Sequence, residues 1–189
     1  MKRSETENIL ELAKKRGALV FGDFLLSSGI KSPYYFDGRL ITLDSEGSYC
    51  VAKAFLSLLK TCKATAVAGP TLGADPIVSS VATISHLEGL PIQALIVRKE
   101  IKQHGGMRVI EGPVQPGMRV AVVDDTCTTG TSLIHAIETI ENAGCEVVKV
   151  LSILDRKQGG SDAIRSRGYE FISLLEASDQ GQIMPVDIT

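Results

Sequence analysis

The feature that most constrains the fold of this chain is an alternation of short apolar runs with longer amphipathic stretches. The runs are typical of strands buried on both faces, and the stretches between them carry apolar residues at helical spacing. Strands are predicted at residues 64–69, 92–97, 119–124, 146–154 and 169–175, and helices at 48–60, 73–89, 131–143 and about 161–167. Because strands that alternate with helices form βα units, the sequence predicts a doubly wound, mostly parallel α/β sheet.

The chain of 189 residues has the size of one domain with an elaboration. Its first 45 or so residues do not follow the alternation and contain an aromatic cluster, SPYYFDG, at residues 32–38. We therefore expect a single domain, residues 1–189, in which an N-terminal hood (about 1–45) covers one end of the α/β core (about 46–175).

Charge and hydropathy exclude several classes of function. The formal net charge is −2, whereas a nucleic-acid-binding domain is expected to be basic. No apolar run approaches the ~18–20 residues that span a bilayer, and the first ten residues have no signal-peptide core. The four cysteines have no C-x-x-C spacing, which predicts reduced thiols and no structural zinc site. We expect a cytoplasmic protein that binds neither nucleic acid nor a membrane.

The stretch VAVVDDTCTTGTSL, residues 120–133, has the composition of a ligand site. Ligands of doubly wound sheets bind beyond the carboxyl ends of the strands, where Asp124 and Asp125 are expected to lie. Two adjacent carboxylates can accept hydrogen bonds from a vicinal diol, and they could instead hold a metal ion. The hydroxyl-rich turn that follows leads into a helix whose N-terminal N–H groups suit a phosphate, with Gly130 allowing close approach. The combination favours a ribose 5-phosphate over an ordinary capped turn.

Other phosphate-binding motifs do not fit the sequence. There is no G-x-x-x-x-G-K-[ST] motif, which argues against a P-loop NTPase, and no two glycines stand two apart, which argues against a G-x-G-x-x-G dinucleotide site. In the acidic pocket of response regulators the aspartate pair follows the first strand, whereas here it follows the third predicted core strand.

The stretch resembles the signature with which type I phosphoribosyltransferases bind 5-phosphoribosyl 1-diphosphate (PRPP). The resemblance implies that Asp124 and Asp125 hold the ribose hydroxyls. It also implies a 5-phosphate loop made of Thr128, Thr129, Gly130, Thr131 and Ser132.

A second stretch, VRKEIKQHGGMRVIEG at residues 97–112, concentrates basic groups around two glycines. Such groups clamp phosphates, and the glycines suit a lid that closes over a substrate. The stretch resembles the mobile catalytic loop of the orotate-specific members of the family. The resemblance implies that PRPP is bound by Arg98, Lys99, Lys102 and His104, the pyrophosphate being stabilised by Arg98, Lys102 and His104. It also implies that Lys102 and His104 are catalytic beside the two aspartates.

Three further stretches resemble the same family. GDFLLSSGIKSPYYFDGRL, residues 22–40, is similar to its N-terminal motif, although Ser27 stands where many members have lysine, and Lys31 is a nearby candidate to compensate. AGPTLGADP, residues 68–76, lies where the family binds pyrophosphate but is poorer in glycine. An arginine ends the fourth predicted strand in LDRKQGG. The orotate contacts implied by the resemblance are Tyr35, Phe36, Thr128 and Arg156.

The resemblance implies transfer of the phosphoribosyl group from PRPP to orotate, giving orotidine 5′-monophosphate and pyrophosphate in UMP biosynthesis. Mg²⁺ is expected to be carried on PRPP, without direct protein ligands, and the family forms homodimers with shared active sites. Two alternatives are a phosphoribosyltransferase for another nucleobase and a PRPP-binding regulator without catalysis. Cys127 lies within the predicted phosphate loop, near a helix N-terminus where a thiol pKa can fall, so packing and redox sensitivity are both considered.

Overall fold

The computed structural model describes residues 4–25, 31–99 and 109–188, and its N-terminal part combines a helix with a hairpin. Helix α1 (Glu5–Lys15) is followed by strands β1 (Leu19–Leu25) and β2 (Lys31–Phe36), which pair antiparallel, and by the short helix α2 (Arg39–Thr42). Helix α1 begins with a capping box, because the Ser4 side chain accepts from the Glu7 backbone and the Glu7 side chain accepts from the Ser4 backbone.

The core continues with βα units. Its elements are α3 (Ser45–Thr61), β3 (Ala66–Pro70), α4 (Asp75–Leu87), β4 (Gln93–Val97), β5 (Ile110–Glu111), β6 (Arg119–Cys127), α5 (Thr131–Asn142), β7 (Glu146–Asp155), α6 (Gly160–Ser166), β8 (Phe171–Ala177) and β9 (Ile183–Pro185). All five predicted strands and all four predicted helices are present, with ends that move by a few residues.

The seven-stranded sheet has the order β5-β4-β3-β6-β7-β8-β9. Strands β4, β3, β6, β7 and β8 are parallel, and the two edge strands are antiparallel. Chain order runs outward from β3 to β4 on one side and from β6 to β8 on the other. The strand order therefore reverses between β3 and β6, where a doubly wound sheet opens a binding crevice.

Each face of the sheet is covered by its own helices. Helices α1, α3 and α4 pack on one face, where Ala121 and Val123 of β6 point, and α5 and α6 pack on the other, against Val120 and Val122. This alternation follows from the two-residue period of a strand, which sends successive side chains to opposite faces. Helix α5 buries Leu133, Ala136, Ile137 and Ile140, a single stripe at helical spacing. The predicted doubly wound α/β sheet is confirmed.

The N-terminal 45 residues differ from the predicted hood in one respect. Helix α1 packs against α3, β8 and β9, and its Ile9 and Ala13 are fully buried in the core of that face. Among the described residues of this segment, the end of the hairpin and the start of α2 lie at the carboxyl end of the sheet. The α1 sequence alternates apolar and charged residues at helical spacing, which fits a helix that lies on a sheet.

Strand β6 continues beyond its predicted end at Asp124. Its parallel ladder with β7 pairs Asp124 with Ser152 and Cys127 with Asp155, so the strand ends three residues later. Long pairing with β7 holds the acidic pair inside the sheet rather than in a free loop. In the part of the chain that the structure describes, no helix is long and apolar enough to cross a membrane.

Candidate active site

A cavity of about 390 Å³ lies beyond the carboxyl ends of β3 and β6, where the strand order reverses. It is lined by the end of β2 and the start of α2, the turn after β3, the acidic end of β6, the residue Lys99 after β4 and the start of α5. The lining residues are Tyr35, Phe36, Asp37, Arg39, Pro70, Thr71, Leu72, Gly73, Lys99, Asp124, Asp125, Thr126 and Ser132. The lining is mainly polar, which suits a charged or hydroxyl-rich ligand.

The two adjacent aspartates lie at the centre of this cavity. Asp124 is 7% exposed, and its Oδ1 accepts a hydrogen bond of 2.9 Å from the backbone N–H of Asp125. Burial raises the pKa of Asp124 well above its usual range, and the Asp125 carboxylate raises it further, while Lys99 lowers it. Burial also raises the pKa of Asp125, with Asp37 adding to the rise and Arg39 opposing it. The surrounding protein therefore stabilises the charged forms of these two carboxylates poorly. A bound diol or cation would supply the missing stabilisation.

Two glycines bring neighbouring backbone against this pair. A Cβ on Gly73 would lie 2.7 Å from Asp125 Oδ1 and 2.8 Å from Asp124 Oδ1. A Cβ on Gly38 would lie 2.7 Å from Asp125 Cβ. The turn after β3 and the hood therefore both reach the carboxylates because neither carries a side chain at the point of contact.

The predicted phosphate loop connects β6 to α5. Gly130 takes a left-handed conformation (φ 79°) immediately before α5 begins at Thr131, so the first free N–H groups of the helix face the loop. The hydroxyls of Thr129 and Thr131 lie 3.0 Å apart. Ser132 lines the cavity directly; Thr128, Thr129, Gly130 and Thr131 lie on the adjoining loop and are not among its lining residues.

The phosphate loop is supported by the start of α6. The Gly160 N–H donates to the Thr128 carbonyl at 3.0 Å. A Cβ on Gly160 would stand 2.6 Å from both Gly130 N and Thr128 O. Because the two backbones touch at this point, the position of the loop depends on a residue thirty positions away in the sequence.

The turn after β3 occupies the place of the predicted pyrophosphate turn. Thr71 N–H donates to the carbonyl of Val97 at 3.0 Å, which ties the turn to the end of β4. Gly69 is packed so tightly that a Cβ there would lie 2.4 Å from the carbonyl of Val123. Asp75, at the start of α4, has a buried Oδ1 without a hydrogen-bond partner, and burial raises its pKa.

The predicted base-binding residues lie on two elements. Tyr35 and Phe36, at the end of β2, line the cavity, and the Tyr35 ring packs on Phe24 with 5.8 Å between centroids. Arg156 follows β7 directly, and its backbone N–H donates to the Cys127 carbonyl at 2.9 Å. Arg156 is 8% exposed, and its Nη1 is buried with no hydrogen-bond partner among residues 4–25, 31–99 and 109–188.

The described residues include both ends of the predicted lid, residues 97–99 and 109–112, and leave out residues 100–108. Lys99 lines the cavity, whereas the Arg98 guanidinium lies 3.4 Å from Glu111 Oε1 and is not among the lining residues. Ser27, Lys102 and His104 lie outside the described residues. Their predicted roles stay predictions.

Sequence reasoning missed Asp37 and Arg39. Arg39 makes a two-point hydrogen bond to the Asp37 carboxylate, at 2.9 Å from each of two nitrogens, and this contact lowers the pKa of Asp37. Both residues line the cavity, and Arg39 is a cation close enough to Asp125 to lower the pKa of that carboxyl. The only signal in the sequence was their place directly after the aromatic cluster, in FDGR.

The structure decides between the two interpretations of Cys127. All four cysteines are free, and Cys127 is 1% exposed. Burial, with Asp155 and Asp124 nearby, raises the pKa of its thiol to about 12. A thiol with such a pKa carries almost no thiolate at neutral pH, so Cys127 packs and does not act as a redox centre.

The carboxylates fit a magnesium ion that is carried on a phosphate ligand. No group of three or more metal-ligating side chains is present among residues 4–25, 31–99 and 109–188. Mg²⁺ is commonly held by one or two carboxylates together with substrate phosphates and water, and Asp124 and Asp125 offer that donor set.

Comparisons with known proteins agree with this geometry. The family described as phosphoribosyl transferase domain matches residues 51–179. The chain is 47% identical over 163 residues to the orotate phosphoribosyltransferase of Synechocystis sp., with 86% of this chain and 82% of that protein covered. It is 42% identical over 177 residues to the orotate phosphoribosyltransferase of Aquifex aeolicus, with 93% and 97% covered.

Solved structures give the same result. A crystal structure of Mycobacterium tuberculosis orotate phosphoribosyltransferase matches with a TM-score of 0.80 and 38% identity, over 95% of this chain and 100% of that one. A crystal structure of that protein in complex with PRPP matches with a TM-score of 0.76 and 35% identity, over 92% and 96%.

The chain therefore belongs to the phosphoribosyltransferases, the class that this doubly wound sheet and its acidic crevice define. Within that class, it is a member of the orotate phosphoribosyltransferase family. The resemblance found in the sequence is confirmed.

Proposed function

We propose that this protein transfers the 5-phosphoribosyl group from PRPP to orotate, releasing pyrophosphate and forming orotidine 5′-monophosphate in UMP biosynthesis. The observation that carries the proposal is the crevice that holds Asp124 and Asp125 together with Ser132 of α5, whose N-terminus follows the loop of residues 128–130. A pair of carboxylates beside a helix N-terminus receives a vicinal diol at one end and a phosphate at the other.

The reaction needs positioning and charge stabilisation rather than covalent catalysis. Positive charge develops on the ribose ring as the bond to pyrophosphate breaks, and we propose that the carboxylates of Asp124 and Asp125 stabilise this charge. The departing pyrophosphate gains negative charge, which Lys99 and the predicted lid cations Arg98, Lys102 and His104 would stabilise. Their side chains hold the leaving group while orotate N1 forms its bond to the ribose carbon.

Orotate is proposed to bind between the hood and the end of β7. Its carboxylate and ring carbonyls are acceptors that suit the buried, unpartnered Nη1 of Arg156. Tyr35 and Phe36 supply aromatic surface beside the ring. Thr128, on the adjoining loop, is proposed to supply a hydroxyl.

Mg²⁺ is proposed to enter with PRPP and to keep most of its ligands on the substrate and water. When bound, it neutralises part of the pyrophosphate charge. Asp124 and Asp125 would face it, which is consistent with two carboxylates whose pKa values are both raised by burial, Asp125 raising that of Asp124 further and Asp37 that of Asp125.

We also propose a homodimer in the cytoplasm. Four large apolar side chains on neighbouring elements beside the cavity are strongly exposed: Leu40 (48%), Leu43 (73%), Tyr49 (53%) and Leu72 (62%). Clustered exposed apolar residues mark protein interfaces. A partner subunit on this surface would stand next to the active site, as a shared site requires.

The proposal is tested by following the ultraviolet absorbance of orotate with PRPP and Mg²⁺. We expect the wild type to consume orotate, and Lys102→Ala to lose most of the activity without losing its fold. Adenine, hypoxanthine and uracil are the comparison bases and should react far more slowly. Consumption of a different base would assign the same site to another substrate. PRPP binding without consumption of any base would leave a PRPP-binding protein without catalysis.

A further inference from the structure

The hood residue Tyr34 lies against the arginine that is proposed to bind orotate. The Arg156 Cζ stands 5.1 Å from the centroid of the Tyr34 ring. A guanidinium at this distance over an aromatic face is attracted by the ring quadrupole. The two residues come from β2 and from the end of β7, so the contact joins the hood to the core sheet.

The position of Tyr34 is fixed by core packing and by a backbone hydrogen bond. It is 3% exposed and belongs to the hydrophobic core on the α1, α3 and α4 face. Its backbone carbonyl accepts a 2.6 Å hydrogen bond from the Ser32 hydroxyl, and its register partner across the hairpin is Phe21. Burial raises the pKa of the Tyr34 phenol, with Arg156 opposing the rise, so the ring stays neutral and keeps its face attractive to a cation.

Arg156 has an unsatisfied donor beside this contact. The guanidinium lies over the Tyr34 ring, whereas its N–H groups point outward from its edge in the guanidinium plane. Nη1 is buried and has no hydrogen-bond partner within the part of the chain that the structure describes. A buried donor without a partner is unfavourable, and a planar anion with carboxylate or carbonyl oxygens would satisfy it.

From this geometry we infer that Tyr34 is a positioning residue, which holds the Arg156 guanidinium with its free N–H edge toward orotate. The inference rests on the proposed function for the identity of the ligand. It separates Tyr34, which orients the arginine, from Tyr35 and Phe36, which line the cavity. In this proposal Tyr34 acts through Arg156 and does not contact the reacting atoms.

The test replaces Tyr34 by Phe and by Leu and measures both substrate constants. Tyr34→Phe keeps the ring and should leave KM for orotate within about twofold of wild type. Tyr34→Leu removes the ring and should raise KM for orotate roughly 5- to 30-fold while KM for PRPP and kcat change little. Tyr169→Leu is the control: Tyr169 is partly buried and precedes β8, at the end of the sheet away from the cavity, and the variant should leave both KM values unchanged.

A purely structural role for Tyr34 predicts a different pattern. It would lower the melting temperature and the active fraction, or raise both KM values together, and either result would overturn the inference. Coupling gives a second criterion: once Arg156→Gln is present, adding Tyr34→Leu should change KM for orotate less than about twofold. Full additivity of the two changes would refute a role through Arg156.

Two further measurements keep the test decisive. If Tyr34→Leu does not fold, 4-cyanophenylalanine at position 34 keeps the ring but weakens its attraction for a cation. A KM for orotate about threefold above that of Tyr34→Phe would support the inference, and equal values would overturn it. The Arg156 side-chain NMR signal reports the stacking without any reaction, since its ring-current shift should persist in Tyr34→Phe and disappear in Tyr34→Leu. This readout separates failure of the inference from failure of the proposed function.

Discussion

The contact between the phosphate loop and the start of α6 makes a sharp prediction for Gly160→Ala. A Cβ at this position would stand 2.6 Å from Gly130 N, 2.6 Å from Thr128 O and 2.7 Å from Cys127 Sγ. The two closest atoms are backbone, so no side chain can rotate away to make room. The two segments must separate by about 0.8 Å to reach ordinary contact at 3.4 Å.

The separation should affect both stability and PRPP binding. Overpacking of this kind costs about 2 kcal/mol, which for a chain of this length lowers the melting temperature by roughly 4–8 °C. The 3.0 Å hydrogen bond from Gly160 N–H to the Thr128 carbonyl would lengthen as the segments part. Since a displacement near 1 Å in a substrate-holding group can cost about 100-fold, we expect kcat/KM for PRPP to fall roughly 10- to 100-fold.

Initial rates of orotate consumption at varied PRPP, together with thermal melts, measure both effects. Gly89→Ala is the matched control, because a Cβ there meets nothing within 4 Å and the substitution acts only on a left-handed backbone (φ 72°) far from the site. It should lose about 1–2 kcal/mol of stability and keep its kinetic constants. If Gly160→Ala loses stability but keeps the wild-type kcat/KM for PRPP, the loop is not held in place by α6.

Three further predictions follow from burial and exposure. Burial raises the pKa of Asp124, so the stability that its protonated form contributes is lost as pH rises from the ordinary aspartate pKa through the raised one. In thermal melts, Asp124→Asn should therefore melt at a higher temperature than wild type at about pH 8, and the difference should vanish near pH 4. Because the pKa of the Cys127 thiol is raised to about 12, alkylation of the native protein should reach half-buried Cys62 long before Cys127, as peptide mass spectrometry would detect. Leu43 follows α2 on the proposed dimer surface, so Leu43→Arg should give monomers in light scattering and reduced activity in the orotate assay. Leu87 is equally exposed but lies at the C-terminal end of α4, and Leu87→Arg should remain dimeric.

The sequence predicted the parallel strands and their helices because each is a strong local pattern. The buried strands are continuous apolar runs, and the helices have stripes such as Leu133, Ala136, Ile137 and Ile140. Strands β5 and β9 were not predicted, since two and three residues are too few to show a period. They form because their backbones pair with strands β4 and β8. The position of α1 also depends on tertiary packing, which an amphipathic pattern leaves open.

The site was predictable where chemistry is concentrated in one segment. Asp124 and Asp125 stand next to each other, and the phosphate loop follows them directly. Contacts that join distant segments left no such pattern. The contact of Gly160 with Gly130 and that of Arg156 with Tyr34 depend on how the elements are arranged in space. No local sequence pattern predicts that arrangement.

The most direct test of this account is a pair of single variants, Asp125→Asn and Arg156→Gln, each titrated with both substrates in the orotate absorbance assay. If the crevice receives ribose at the acidic pair and orotate at the end of β7, Asp125→Asn raises KM for PRPP at least about tenfold with little effect on orotate. Arg156→Gln shows the reverse pattern. Variants that raise both KM values equally, or neither, would contradict the placement of the two substrates.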